Sequence, residues 1–118
     1  MKIVVHEYIG DDGINAYKQW FDELDATAAG KVSVAVARIE AGNTSNIKWF
    51  RGIGEYVIDW GPGYRVYLAK DGESLIILFG GSSKKTQQKA IESAIFLHAE
   101  FKIKKKAALA KLRKLKCR

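Results

Sequence analysis

Gly61-Pro62-Gly63-Tyr64-Arg65-Val66-Tyr67-Leu68-Ala69-Lys70, then Asp71-Gly72-Glu73-Ser74, then Leu75-Ile76-Ile77-Leu78-Phe79-Gly80-Gly81-Ser82-Ser83-Lys84-Lys85, is the stretch whose reading decides the fold. Two apolar runs rich in β-branched and aromatic residues are separated by short Gly-containing turns, so they read as neighbouring antiparallel strands. The strand before them, Glu55–Trp60, joins across Gly-Pro-Gly. With Trp60 opposite Tyr64 and Lys70 opposite Glu73, one face carries Tyr56, Ile58, Trp60, Tyr64, Val66, Leu68, Leu75, Ile77 and Phe79 as core. The other face carries Val57, Asp59, Arg65, Tyr67, Ile76 and Leu78, with Asp59 directly opposed to Arg65. A slip of one residue would exchange these faces.

Outward from this sheet, Ile3 to Tyr8 reads as a short strand. Asp11 or Asp12 is placed to cap a helix with Ile14, Tyr17, Phe21 and Leu24 at helical spacing. Asp25 or Thr27 caps a second, with Val32, Ala35, Val36 and Ile39 on one face and Gly42 as its stop. Residues 47–53 fit more than one assignment. A last helix starts near Ser83–Thr86, with Ile91, Ala94, Ile95, His98 and Phe101 as its buried stripe. The order β-α-α-β-β-β-α predicts a small α+β domain whose antiparallel-dominated sheet is packed by a helical hairpin. The domain is expected to occupy residues 1–101, with a basic C-terminal helix or tail over 102–118.

Charge divides the chain the same way. Residues 102–118 hold nine Lys/Arg and no acid, while residues 1–101 hold eleven bases against thirteen acids. The folded body is therefore slightly acidic, and the net charge of +7 belongs to the tail. Nucleic-acid binding must rest on local placement of charge or on the tail. Leu109, Leu112 and Leu115 lie three apart among these bases. The tail reads as a solvated helix end, or as a contact for nucleic acid, an acidic partner or a membrane surface. No apolar run approaches the roughly 20 residues of a membrane span. The single cysteine, Cys117, permits no internal disulfide, which fits a reducing cytoplasm.

Arg65 on a strand can fork onto a phosphate, or pair with an acid. Lys84 and Lys85 stand at a helix start, where backbone N–H groups already favour an anion. The Gly80-Gly81-Ser82-Ser83 loop is a weak phosphate nest, and its lysines do not follow a P-loop. Lys48, Trp49 and Arg51 form a basic-aromatic cluster that suits a stacked base, or else Trp49 closes the core edge. Tyr67 shares the Arg65 face and is open to stacking, proton transfer or packing. Neither the two histidines nor any Cys/His/Asp spacing suggests a metal, and no cofactor motif is present.

The run Gly61-Pro62-Gly63-Tyr64-Arg65-Val66-Tyr67, the strand Leu75–Phe79, and Gly80-Gly81 followed by Lys84-Lys85-Thr86-Gln87-Gln88-Lys89-Ala90-Ile91 resemble the RelE/ParE superfamily of toxins. Tyr17-x-x-Trp20-Phe21-x-x-Leu24 agrees. The likeness is to the HigB-like branch, the addiction-module killer proteins, and covers about residues 3–101. It implies a cytoplasmic toxin of a toxin–antitoxin module, neutralised by a helix-turn-helix antitoxin, that cuts messenger RNA in the ribosome without metal or cofactor. It implies catalytic roles for Arg65 with Lys84 or Lys85, and basic contacts from Lys48 and Arg51; Lys85 or Tyr67 is the candidate base for the 2′-hydroxyl, and Lys89 is a further candidate RNA contact. Ribonuclease members often carry Tyr or His early in the last helix, where this chain has Thr86, Gln87, Gln88 and Lys89. ParE-like members of the same superfamily bind DNA gyrase instead.

Overall fold

The computed structural model describes residues 2–116, so Cys117 lies outside the described residues. Along the chain come β1 (Val4–Glu7), α1 (Ala16–Asp22), α2 (Ala26–Glu40), β2 (Ile47–Phe50), β3 (Ile53–Ile58), β4 (Tyr64–Lys70), β5 (Leu75–Ser82), a 3-10 turn (Lys84–Thr86) and α3 (Gln87–Lys116). The five strands form one mixed sheet in the order β1-β5-β4-β3-β2, parallel only between β1 and β5. The α+β class expected from the sequence is the class observed, with one strand more. The ambiguous segment after the helical hairpin supplies β2, which turns into β3 through Arg51-Gly52, both at positive φ (50° and 84°). Two left-handed residues match the turn to the twist of a two-residue hairpin. Arg51 takes that conformation without glycine's freedom while bonding Glu92 on α3 at 2.8 Å.

Local signals explain the helices. Asp25 caps α2, its carboxylate accepting from Ala28 N at 2.8 Å. Gly42 at φ 95° closes it, with Gly42 N donating to Ile39 O and Asn43 N to Arg38 O, both 2.9 Å. This is the left-handed glycine cap that satisfies the last carbonyls. α1 begins later than expected. Its cap is Asn15, which accepts from Lys18 N at 2.9 Å, while Asp12 bonds Ile14 N in the loop before it.

Both faces of the sheet are covered. Under α1 and α2, Tyr17, Val32 and Ile39 pack on Tyr56, Val66, Leu68, Ile76 and Leu78. Under α3, Ile91 and Ala94 pack on Ile53, Tyr67, Ile77 and Phe79. Two expected registers differ. Tyr64 pairs with Ile58 rather than Trp60, a shift of two, so the faces of β3 keep their sense and Arg65 stands opposite Val57, not Asp59. Lys70 pairs with Ile76 rather than Glu73, an odd shift, so the faces of β5 are reversed. The cause is a wider turn: Asp71 N donates to Leu75 O at 2.8 Å, leaving Gly72 to Ser74 as the loop. A bulge at Tyr67/Leu68 adds a further step.

α3 continues unbroken from the body into the basic segment. Lys104 reaches Asp11 at 3.1 Å, and Lys105 reaches Asp71. Beyond them Leu109, Leu112 and Leu115 are exposed.

Candidate functional site

The site lies at the end of the α3 face where the helix begins and the sheet emerges from under it. Glu55 of β3 pairs with Tyr67 of β4, and Val57 pairs with Arg65, which puts Glu55, Arg65 and Tyr67 on one face. Past the bulge, Tyr67 stands beside Gly80 and Arg65 beside Ser82. Glu55 is 4% exposed, an unusual burial for a carboxylate. Its Oε2 is a hub. Tyr67 Oη donates to it at 3.1 Å, Gln87 Nε2 at 2.9 Å, and Arg65 Nε lies 3.5 Å away. Tyr67 Oη also meets Ser82 Oγ at 3.2 Å.

Arg65 is held from its other end by the loop. Its Nη1 donates to Gly63 O at 2.6 Å. Gly63 has φ 72°, and a Cβ there would sit 3.3 Å from that same Nη1, so glycine serves both the turn and the arginine's approach. Lys84 N donates to Pro62 O at 3.2 Å, which fastens the Gly-Pro-Gly loop to the start of the 3-10 turn. That contact brings Lys84 beside the arginine's loop. The buried Arg65 Nε faces the Glu55 carboxylate as an ion pair, too far for a well-formed hydrogen bond.

The residues singled out in the sequence divide into two groups. Arg65 and Tyr67 come together around Glu55, and Lys84, itself exposed, is tied to their edge through its backbone bond to Pro62. Lys85 and Lys89 are exposed on the 3-10 turn and the first turn of α3. Lys48 is exposed on edge strand β2, opposite Glu55. Arg51 is engaged with Glu92. Trp49 stays on the edge of β2, 44% exposed, with Lys70 over its ring at 5.1 Å. Gly80 and Gly81 are not a nest; they end β5 as strand residues. Gly81 is needed because Trp20 lies against it, 2.2 Å from where a Cβ would be. Glu55, Ser82 and Gln87 were missed by the sequence reading. The available signal was a lone acid in the β3 alternation, two residues out of register with Arg65. Among the described residues no cluster of three or more His, Cys, Asp or Glu could hold a metal. Nor is any described helix long and apolar enough to cross a membrane.

Burial decides the chemistry of Tyr67. It is fully enclosed, and desolvation pushes its phenol up to about 12, with the nearby Glu55 charge adding to the effect. The phenol is therefore a fixed donor at neutral pH. Tyr17 is likewise raised to about 12 by burial. For both, the folded pKa exceeds the unfolded value, so the folded state binds more protons at alkaline pH. Stability is complete below about pH 10 and falls as pH rises toward 12. A spectrophotometric titration should show Tyr17 and Tyr67 ionising late, together with loss of the fold. Normal titration of all five tyrosines with the fold intact would contradict the buried network.

The chain is 38% identical over 86 residues to an uncharacterized protein of Haemophilus influenzae (strain ATCC 51907 / DSM 11121 / KW20 / Rd), a match covering 71% of this chain and 87% of the relative. The chain belongs to the family of that Haemophilus protein. A continuous stretch of this extent necessarily includes β2 to β5, so the strands carrying Glu55, Arg65 and Tyr67 lie within the family's shared region. No protein-family model matches the chain.

Proposed function

We propose that the protein is a HigB-like toxin of the RelE/ParE superfamily, a metal-independent endoribonuclease that cuts messenger RNA on the ribosome and is neutralised by a helix-turn-helix antitoxin. The carrying observation is Arg65, held between the Gly63 carbonyl and the buried Glu55 carboxylate with Lys84 on the adjoining turn. A guanidinium so oriented can grip a phosphate without reorganising at the moment of reaction. The helical hairpin on one face of the sheet and the last helix on the other support the RelE-like topology.

In this reading the 2′-hydroxyl of the messenger attacks the adjacent phosphate and the P–O5′ bond breaks, leaving a 2′,3′-cyclic phosphate and a 5′-hydroxyl that takes its proton from water. Arg65 and Lys84 offset the charge that grows on its oxygens. Tyr67, enclosed by Glu55 and Ser82, acts on Glu55 and through it on Arg65 rather than on the RNA. Lys85, exposed beside Lys84, adds a second ammonium at the phosphate, and the 2′-hydroxyl proton passes to water. Lys48 and Lys89 extend the positive surface along the strand edge and the helix. Changing Lys84 and Lys85 together to Ala should weaken ribosome binding and lower the slope of log K against log salt by about 1.4, at roughly 0.7 per phosphate contact in single strands. An unchanged slope would place both lysines on an idle surface.

The enclosure of Tyr67 and Glu55 favours a second reading, a non-catalytic ParE-like toxin that binds DNA gyrase. Pulse labelling after induction separates the two. Protein synthesis should stop first for the ribonuclease. If DNA synthesis stops first, the ribonuclease reading fails and the gyrase reading stands.

A further inference from the structure

The solvent side of α3 carries a second apolar stripe, separate from the one packed on the sheet. Phe96, Ala99, Ile103, Ala107 and Ala110 recur at intervals of three, four, four and three, the spacing of one helical face. All five are exposed. Phe96 at 67% and Ile103 at 69% are the most exposed large hydrophobic residues among those described. A groove of about 260 Å³ runs along this face between Phe96, Ile103 and Asp11 of the β1–α1 loop.

We infer that this face pairs with the same face of a second copy, the two α3 helices running antiparallel about a two-fold axis at Ile103. The stripe is self-complementary only in that sense. With Ile103 opposite itself, Phe96 comes level with Ala110, and Ala99 with Ala107. Phe96 thus meets a small side chain and only Ile103 meets its own copy, and the alanines let the helices approach closely, toward the 8 Å end of the usual range. Charge selects the same direction. Residues 102–116 hold eight Lys/Arg and no acid, so a parallel pair would lay eight cations against eight. Antiparallel, this segment runs instead along the half of the partner's α3 that holds Glu92 and Glu100, with Lys114 level with Glu92. The pairing is isologous, so it closes at two copies. The shared run of 15 residues is about 22 Å long, which suits a dimer of modest affinity. If the ribonuclease reading above holds, the second copy's Arg113, Lys114 and Lys116 also add positive charge beside Lys89, near the candidate site.

Sedimentation velocity of the full chain should show a monomer–dimer equilibrium in the micromolar range. Ile103→Glu, which sets two acids across the axis, should weaken it at least about tenfold, while Leu112→Glu on the other side of the helix should leave it unchanged. Both positions are exposed, and circular dichroism should show both variants folded. In a Cys117→Ser background, Ile103→Cys should oxidise to a linked dimer. Phe96→Cys alone should not, but it should link to Ala110→Cys when the two are mixed. A chain that is monomeric throughout, a dimer indifferent to Ile103→Glu, or self-linking of Phe96→Cys would each overturn the pairing. None of these readouts involves RNA or toxicity, so the ribonuclease reading and the dimer can fail independently.

Discussion

On the proposed ribonuclease reading, Arg65→Ala should abolish growth arrest on induction and lower ribosome-dependent RNA cleavage by about 100- to 1,000-fold, the effect of removing one oriented donor from a developing oxyanion. The variant should still fold. Without Arg65, the Glu55 carboxylate keeps two donors, Tyr67 Oη and Gln87 Nε2. Arg65→Lys should recover stability but little activity, since an ammonium restores the charge without the two-pronged geometry. Growth arrest at full strength in a folded Arg65→Ala protein would remove Arg65 from the reaction. A failure of both variants to fold would make the residue purely structural. Circular dichroism and thermal melting decide between these outcomes.

Glu55→Ala should destabilise the fold by about 3–5 kcal/mol, more than Arg65→Ala does, because it removes the hub rather than one spoke. Arg65 would keep only the Gly63 carbonyl, and the enclosed Tyr67 hydroxyl would keep only Ser82. At about 4 °C per kcal/mol for a domain of this size, the melting temperature should fall by more than 10 °C. A double change of Glu55 and Arg65 to apolar residues should recover part of that loss, since no unpaired charge is then buried. If Glu55→Ala melts like the parent protein, the carboxylate is not the organiser of the site. Equal losses for Glu55→Ala and Arg65→Ala would mean that the pair acts as a simple salt bridge.

The α+β class, the helical hairpin, the caps at Asp25 and Gly42, and the three consecutive antiparallel strands were all legible in the chain. Each follows from a signal within a few residues: helical spacing of apolar side chains, a capping acid, a glycine stop, or a short turn. Arg65 stood out as a charge on an otherwise apolar strand, and Lys84 and Lys85 as cations at a helix start, where the helix dipole favours anions. The phase of β5 was not legible. Leu75-Ile76-Ile77-Leu78-Phe79 is apolar on both sides, and helices cover both faces of the sheet, so the run carries no alternation to choose between them. The choice falls to the three-residue loop after Asp71, which shifts the register by three; the bulge at Tyr67/Leu68 adds one more place only beyond it. That shift sends Ile77 and Phe79 to the α3 side with Tyr67. The partner of Arg65 was hidden for a related reason. Asp59 is nearer in sequence to the turn, but pairing moved by two places, so Asp59 lies beyond the strand and Glu55 faces the arginine. Gln87 joined the site only when α3 crossed the sheet, 32 residues along the chain from the carboxylate it bonds. Short-range chemistry therefore determined which elements form and which residues are unusual among them. Register and long-range packing, which depend on surfaces meeting across the whole domain, decided which of those residues touch.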